Sequence, residues 1–178
     1  MDWIGHHNDI AHWGLGMDRG GPLRVEAVGW TMPETDIYNT PVDYEIHCEY
    51  PGAVKLLIST KVQGGTKWIG ENGWLWVNRG KIKASNKSWL APDFKPGEWK
   101  AYVSSGHVRN FLDCVKSRKE SICPAETGHR SITPGHLGYV SNAIGRPLRW
   151  DAVREEIVGD AAAQSMLMAL SYRKPWQI

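Results

Sequence analysis

The most constraining feature of the sequence is an alternation of apolar and polar residues over positions 42–50. Its apolar positions are Val42, Tyr44, Ile46, Cys48 and Tyr50. This pattern predicts a strand with one buried face. A Pro-Gly turn follows at 51–52, and further strands are predicted at 23–30, 53–60, 66–70, 74–79 and 81–84. Because parallel strands need a long crossover, the short turns at 71–73 and 79–80 predict antiparallel pairing.

The second half of the sequence predicts helices. Apolar residues at i, i+3, i+4 and i+7 within 108–115 indicate an amphipathic helix. Thr133-Pro134 is typical of a helix start, and Asp160 of a cap for a helix over 161–170. Strands followed by helices predict an α+β fold, with a predominantly antiparallel open sheet and helices packed on one face.

Composition limits the class of protein. The chain has 178 residues, 21 Lys+Arg against 19 Asp+Glu, a net charge of +2 and three cysteines. This near balance gives no reason to expect a nucleic acid or a membrane as partner. Since no signal peptide or disulfide framework is visible, we expect a cytoplasmic protein. The ten tryptophans are compatible with a Trp-rich core or interface, and also with stacking on sugars.

The densest cluster of polar groups lies in the first residues: Asp2, His6, His7, Asp9 and His12. On a helix, Asp2, His6 and Asp9 share one face, whereas His12 lies far around the helix from His6. A carboxylate beside an imidazole suits a general base or a contact to a substrate hydroxyl. A polar helix start capped by Asp2 and a zinc or manganese site remain alternatives.

Other catalytic motifs are missing from the sequence. No P-loop and no G-x-S-x-G motif occurs. Gly14-Leu15-Gly16 precedes a predicted strand, whereas the glycines of a dinucleotide-binding loop follow one. His136 lies just after the predicted helix start at Thr133-Pro134, where a polar side chain could face a cleft.

Four stretches, in order along the chain, resemble one family. Residues 2–16 resemble the helix that opens the second domain of Gfo/Idh/MocA oxidoreductases, and 70–75 (GENGWL) resembles that family's G-x-x-G-W-L strand pair. Residues 148–151 (LRWD) with 159–162 (GDAA) resemble a late pattern of the family. Residues 172–176 (YRKPW) are similar to the ending of bacterial members named as dehydrogenases.

The resemblance implies a function and a set of site residues. In this family, a Rossmann domain binds NAD(P) and carries a catalytic Lys, and the second domain shapes a sugar or polyol site and forms homo-oligomers through its open sheet face. By resemblance, Asp2 is the substrate-binding Asp and His6 the acid/base, and both are catalytic. Asp9 and Trp13 match later positions of the same helix and are predicted to contact the substrate. We add His7 and His136 as candidate substrate contacts, and expect neither a metal-binding nor a cofactor-binding residue.

The sequence departs from the family pattern at its beginning. Residues 1–178 match a single second domain that starts inside its first helix, without the Rossmann domain. We therefore expect that this chain alone neither binds NAD(P) nor turns over substrate, although NAD(P) is implied for the complete enzyme. Two alternatives stay open: a non-catalytic binding or assembly module, and a metal-dependent sugar lyase or isomerase.

Overall fold

The computed structural model describes residues 2–35, 37–38, 40–95, 97, 102–168 and 175. The side chain of Asp2 lies outside this description. So do residues 172–174 and 176 of the tail that resembles the family ending, and residues 169–170 of the last predicted helix.

The described residues confirm an α+β fold. Its helices are α1 (Asp2–Leu15), α2 (His107–Ser117), α3 (Ala125–Ile144) and α4 (Ala161–Met168). Its strands are β1 (Arg24–Thr31), β2 (Asp43–Glu49), β3 (Lys55–Ser59), β4 (Thr66–Gly70), β5 (Gly73–Asn78), β6 (Lys81–Ala84), β7 (Leu148–Asp151) and β8 (Glu156–Ile157). Every described strand pair is antiparallel, as the short turns predicted.

The strands form two sheets. One has five strands in the order β3-β2-β1-β7-β8, and the other has three in the order β4-β5-β6. β7 and β8 were not predicted, because four and two residues are too short to show a period. β7 lies beside β1, with Val25 opposite Leu148. This pairing joins the C-terminal part of the chain to its first strand.

The core lies between one face of the five-stranded sheet and α3. Val25, Ile46 and Leu148 of the sheet and Leu137 of the helix are each at most 1% exposed. In β2, Ile46 and Cys48 are buried, whereas His47 and Glu49 are exposed, as the alternation predicted. The opposite face of this sheet carries polar side chains and is covered by no described helix.

The helix start predicted at Thr133-Pro134 is wrong. Helix α3 begins at Ala125, and Pro134 lies inside it. A proline inside a helix costs about 3 kcal/mol because it removes a backbone donor and crowds the preceding turn. Here Pro134 is fully buried, so the packing of α3 against the rest of the fold outweighs that local cost. Asp160, in contrast, is confirmed as a cap, since its Oδ1 accepts from the backbone N–H of Ala163 at 3.1 Å.

Helix α1 is attached to both the small sheet and α3. The hydroxyl of Thr66 on β4 donates to the backbone carbonyl of His7 at 2.7 Å. Near the end of α1, a side chain at Gly14 would meet the Trp68 ring at 2.6 Å, so only a glycine lets β4 approach the helix this closely. The first helix is therefore held in a fixed position beside β4, β5 and β6.

Candidate functional site

One side of α1 is buried and uses its polar residues for structure. The amide Nδ2 of Asn8 donates to the backbone carbonyl of Ser131 at 2.6 Å. His12 is fully buried, and its Nε2 lies 2.7 Å from the hydroxyl of Tyr50. Burial lowers the pKa of His12 to about 4, against a smaller opposing effect of Asp9. The ring is therefore neutral and hydrogen-bonds to Tyr50. His12 thus serves the core, on a different side of the helix from His6.

The solvent-facing side of α1 forms a cleft with the hairpin of β5 and β6. This cleft has a volume of about 600 Å³, a size typical of small-molecule sites. From the helix it is lined by His6, His7, Ile10 and Trp13, and from the hairpin by residues 77–82. Three of the predicted site residues, His6, His7 and Trp13, thus share one concave surface.

Trp3 lies between the helix and the tip of the hairpin. Its ring centroid is 5.7 Å from that of His6, and the Cζ of Arg79 lies 5.5 Å from it on the hairpin. The same indole therefore contacts the predicted acid/base and a cation that lines the cleft.

The tryptophans divide between core and surface. Trp76 and Trp150 are each 6% exposed, whereas Trp3 is 59% and Trp13 50% exposed. Buried indoles thus support the sheets, as the interpretation of a Trp-rich core predicts, and exposed indoles lie on the solvent-facing side of α1.

His7 is partly buried where the helix meets the hairpin. Burial lowers its pKa, and the positive charges of Arg79 and His6 lower it further. Its Nδ1 is buried without a hydrogen-bond partner among the described atoms. His7 is therefore neutral near pH 7 and can contact an uncharged hydroxyl.

The expected common face of Asp2, His6 and Asp9 is divided in the structure. His6 lines the cleft, whereas Oδ1 of Asp9 accepts from the hydroxyl of Ser131 on α3 at 2.8 Å. The spacing places His6 and Asp9 on the same side of the helix. However, different elements pack beside them: the β5–β6 hairpin lies near His6, and α3 lies near Asp9. Asp9 thus links α1 to α3, and the side chain of Asp2 lies outside the described residues.

His136 lies elsewhere than expected. It is an exposed residue in the middle of α3, not in a turn after a helix start, and it is not among the residues that line the cleft. The error follows from the wrong helix start at Thr133-Pro134.

The sequence analysis missed the hairpin side of the cleft. Arg79 and Gly80 were identified only as a turn between strands, and Lys81 as the start of the next strand. No local pattern connects these residues to a helix more than sixty positions earlier. Only the packing of α1 beside β4 brings Arg79 and Lys81 opposite His6.

The described residues show neither a metal centre nor a dinucleotide site of the Rossmann type. Among them, no three His, Cys, Asp or Glu side chains come together as metal ligands. A Rossmann site is built on parallel strands joined through a helix, whereas all described strand pairs are antiparallel. Gly14-Leu15-Gly16 lies at the C-terminal end of α1, which ends at Leu15, and it precedes β1. No helix in the described part of the chain is long and apolar enough to cross a membrane.

Two solved structures are similar to this chain at low sequence identity. Among solved structures, the chain is similar to the protein yvaA from Bacillus subtilis, at 14% identity and a TM-score of 0.48 over 83% of this chain and 50% of that one. It is also similar to an oxidoreductase from Agrobacterium radiobacter in complex with NAD+, L-tartaric acid and magnesium, at 14% identity and a TM-score of 0.44 over 83% and 48%. The chain thus spans about half the length of these proteins.

No protein of curated function matches the chain. The family model for the C-terminal alpha/beta domain of the Gfo/Idh/MocA oxidoreductase family matches residues 2–178. This chain therefore belongs to the Gfo/Idh/MocA oxidoreductase family, with the fold of its C-terminal alpha/beta domain.

Proposed function

We propose that this chain is the substrate-binding domain of an NAD(P)-dependent sugar or polyol oxidoreductase. The observation that carries the proposal is the cleft of about 600 Å³ between α1 and the β5–β6 hairpin, in which His6, His7 and Trp13 meet. A pocket of this size accommodates a monosaccharide or a cyclitol. The exposed indole of Trp13 offers a flat apolar surface to a sugar ring.

In this proposal His6 is the acid/base. It is exposed and lines the cleft, so a substrate hydroxyl can reach its imidazole. A histidine side chain can accept a proton from a hydroxyl during oxidation and return it during reduction. Neutral His7 binds a second hydroxyl. The nucleotide is assigned to the Rossmann domain of the complete enzyme, as membership of the family implies.

Membership of the family also supports a homo-oligomer formed through the open face of the five-stranded sheet. Apolar Val28 and Leu57 are 49% and 46% exposed, and Leu57 lies on that face opposite His47 of β2. An antiparallel sheet with one uncovered face can bury it against a second copy.

The binding proposal is tested by substituting His6. Titration of the full chain with sorbitol, myo-inositol or glucose should shift the imidazole NMR resonances of His6, and His6→Ala should weaken binding about tenfold, since a hydrogen bond to the ligand is lost. Because His6 is exposed, the melting temperature should change little. The matched control is His107→Ala, at an exposed histidine of α2 outside the cleft. If His6→Ala binds as tightly as wild type, the assigned role is wrong.

A further inference from the structure

We propose that the cleft binds an acidic substrate, and that Arg79 and Lys81 at the hairpin tip bind its carboxylate or phosphate group. This inference rests on the proposed function, because it takes the cleft to be the substrate site. It narrows the substrate from sugars and polyols in general to those that carry a negative group, such as a sugar acid or a sugar phosphate.

The first support is the charge of the cleft. Its ionisable lining residues are His6, His7, Arg79 and Lys81, and no carboxylate is among the described residues that line it. The chain as a whole is almost neutral, with a net charge of +2, so this is a local concentration of positive charge. A concave surface lined by one sign of charge attracts ligands of the opposite sign.

The second support is that no described carboxylate pairs with these two cations. In the described part of the chain, no carboxylate lies within salt-bridge distance of Arg79 or Lys81. Several other surface arginines are paired; Arg24, for example, lies 2.6 Å from Glu26. Arg79 and Lys81 therefore keep their N–H donors for a ligand.

The third support is that the Trp3 ring holds the guanidinium of Arg79 in position. Its guanidinium lies over the Trp3 ring, with Cζ 5.5 Å from the centroid, and an arginine on an aromatic face loses less freedom when it binds an anion. Its planar group can bind both oxygens of a carboxylate or phosphate. Since the same indole contacts His6, a sugar-sized molecule can have its acidic group at Arg79 and a hydroxyl at His6.

The effect of Arg79 on His7 is consistent with this arrangement. After burial, the charge of Arg79 is the next largest cause of the lowered pKa of His7. The positive charge of Arg79 on the hairpin thus acts on His7 of the helix. In this proposal the helix supplies neutral groups for hydroxyls, and the hairpin supplies the positive charge for the acidic group.

The experiment compares matched ligands on the full chain. Glucose, gluconate and glucose 6-phosphate are titrated while the His6 resonances and tryptophan fluorescence are followed. We expect gluconate, glucose 6-phosphate or both to bind at least about tenfold more tightly than glucose, because charge-assisted hydrogen bonds are stronger than neutral ones. The tighter of the two acids identifies the group as carboxylate or phosphate. Added salt should weaken the binding of the acids and leave that of glucose unchanged.

Substitutions assign the effect to residues. Arg79→Gln should reduce the preference for the acid about tenfold, and the double change with Lys81→Gln should abolish it, while glucose still binds. The control is Lys83→Gln, which removes a charge from the same strand β6 outside the cleft, where the ammonium lies over Trp76. Arg79 and Lys81 are exposed hairpin residues, so the melting temperature should stay near that of wild type.

Two results separate the inference from the proposed function. If glucose and both acids bind equally, or if Lys83→Gln acts as strongly as Arg79→Gln, the inference is wrong and the binding site at His6 still stands. If none of the compounds perturbs His6, the proposed function fails, and the inference fails with it.

Discussion

At the scale of single residues, neighbouring histidines on α1 have different tasks because their surroundings differ. His6 is exposed in the cleft, His7 is partly buried beside Arg79, and His12 is fully buried against Tyr50. Burial disfavours the charged imidazole because the protein interior solvates it poorly. One short helix therefore carries a solvent-facing candidate acid/base and a histidine that holds the core together.

His12 predicts how stability depends on pH. Its pKa falls from 6.5 to about 4 on folding, so between these values the unfolded chain holds more protons than the folded one. The contribution of neutral His12 to the free energy of unfolding is therefore complete above about pH 6.5. It decreases as the pH falls toward 4. Between about pH 7 and pH 5 this histidine should account for a loss of about 2 kcal/mol.

The measurement is urea unfolding at both pH values, in wild type and in His12→Gln. Glutamine keeps a hydrogen-bond acceptor but does not titrate, so the variant should lose about 2 kcal/mol less between the two pH values. Burial also lowers the pKa values of His7 and His136. Both residues are present in wild type and variant, so their contributions to the pH dependence cancel in the comparison. An identical pH dependence in wild type and variant would contradict the assignment.

At the scale of elements, a glycine sets the distance between α3 and the large sheet. A side chain at Gly138 would meet atoms of buried Ile46 at 2.4 and 2.8 Å. Because Ile46 lies in the middle of β2 and is enclosed by the core, it has little room to move. The close approach of helix and sheet therefore depends on the absence of a side chain at this position.

We predict that Gly138→Ala destabilises the protein by about 1–3 kcal/mol, the usual cost of overpacking a core. The control is Gly128→Ala in the same helix, where an added methyl meets nothing within 4 Å and higher helix propensity should raise stability by about 0.5–1 kcal/mol. Urea unfolding measures both changes. A Gly138→Ala protein as stable as wild type would show that α3 can move away from the sheet at small cost.

At the scale of the whole molecule, the two faces of the five-stranded sheet differ. One face packs against α3, and the other is covered by no described helix. The uncovered face carries charged residues joined by ion pairs, such as Arg24 with Glu26 and Glu49, together with exposed Leu57. A homo-oligomer formed through this face, as proposed above, would bury Leu57 against a second copy.

The oligomer proposal predicts that a charge at Leu57 weakens assembly. Leu57→Lys should shift sedimentation at micromolar concentration from oligomer toward monomer, because an unpaired ammonium is costly to bury. The control is Ile69→Lys, at a residue of β4 that is 78% exposed and lies on the other sheet. A wild-type chain that sediments as a monomer, or a Leu57→Lys protein that stays oligomeric, would contradict this interface.

Much of the fold could be predicted from the sequence, because the patterns involved are local. The alternation in β2, the glycine-containing hairpin turns and the Asp160 cap each depend on residues a few positions apart. The predictions failed where contacts with residues far along the chain determine the structure. A Thr-Pro pair such as the one at Pro134 is typical of a helix start. In the structure α3 begins nine residues earlier, because its buried packing stabilises the longer helix.

The arrangement of the candidate site could be predicted only in part for the same reason. The sequence and its resemblance to the family named His6, His7 and Trp13 as candidates, and the structure brings these three side chains to one cleft. The spacing could not show that Asp9 is bonded to Ser131 or that Arg79 lies opposite His6. These contacts join residues far apart in the chain, and no local pattern encodes them.

By itself, the sequence determined the antiparallel hairpins and the class of fold, and its resemblance to the family indicated the helix that carries the candidate site. Short-range periodicity and turn chemistry are sufficient for the hairpins and the class of fold. Only the tertiary structure decided that the strands form two sheets, that β7 lies beside β1, and that a cationic hairpin tip forms the second wall of the cleft. The physical reason is that these features follow from which apolar surfaces bury one another across the whole chain.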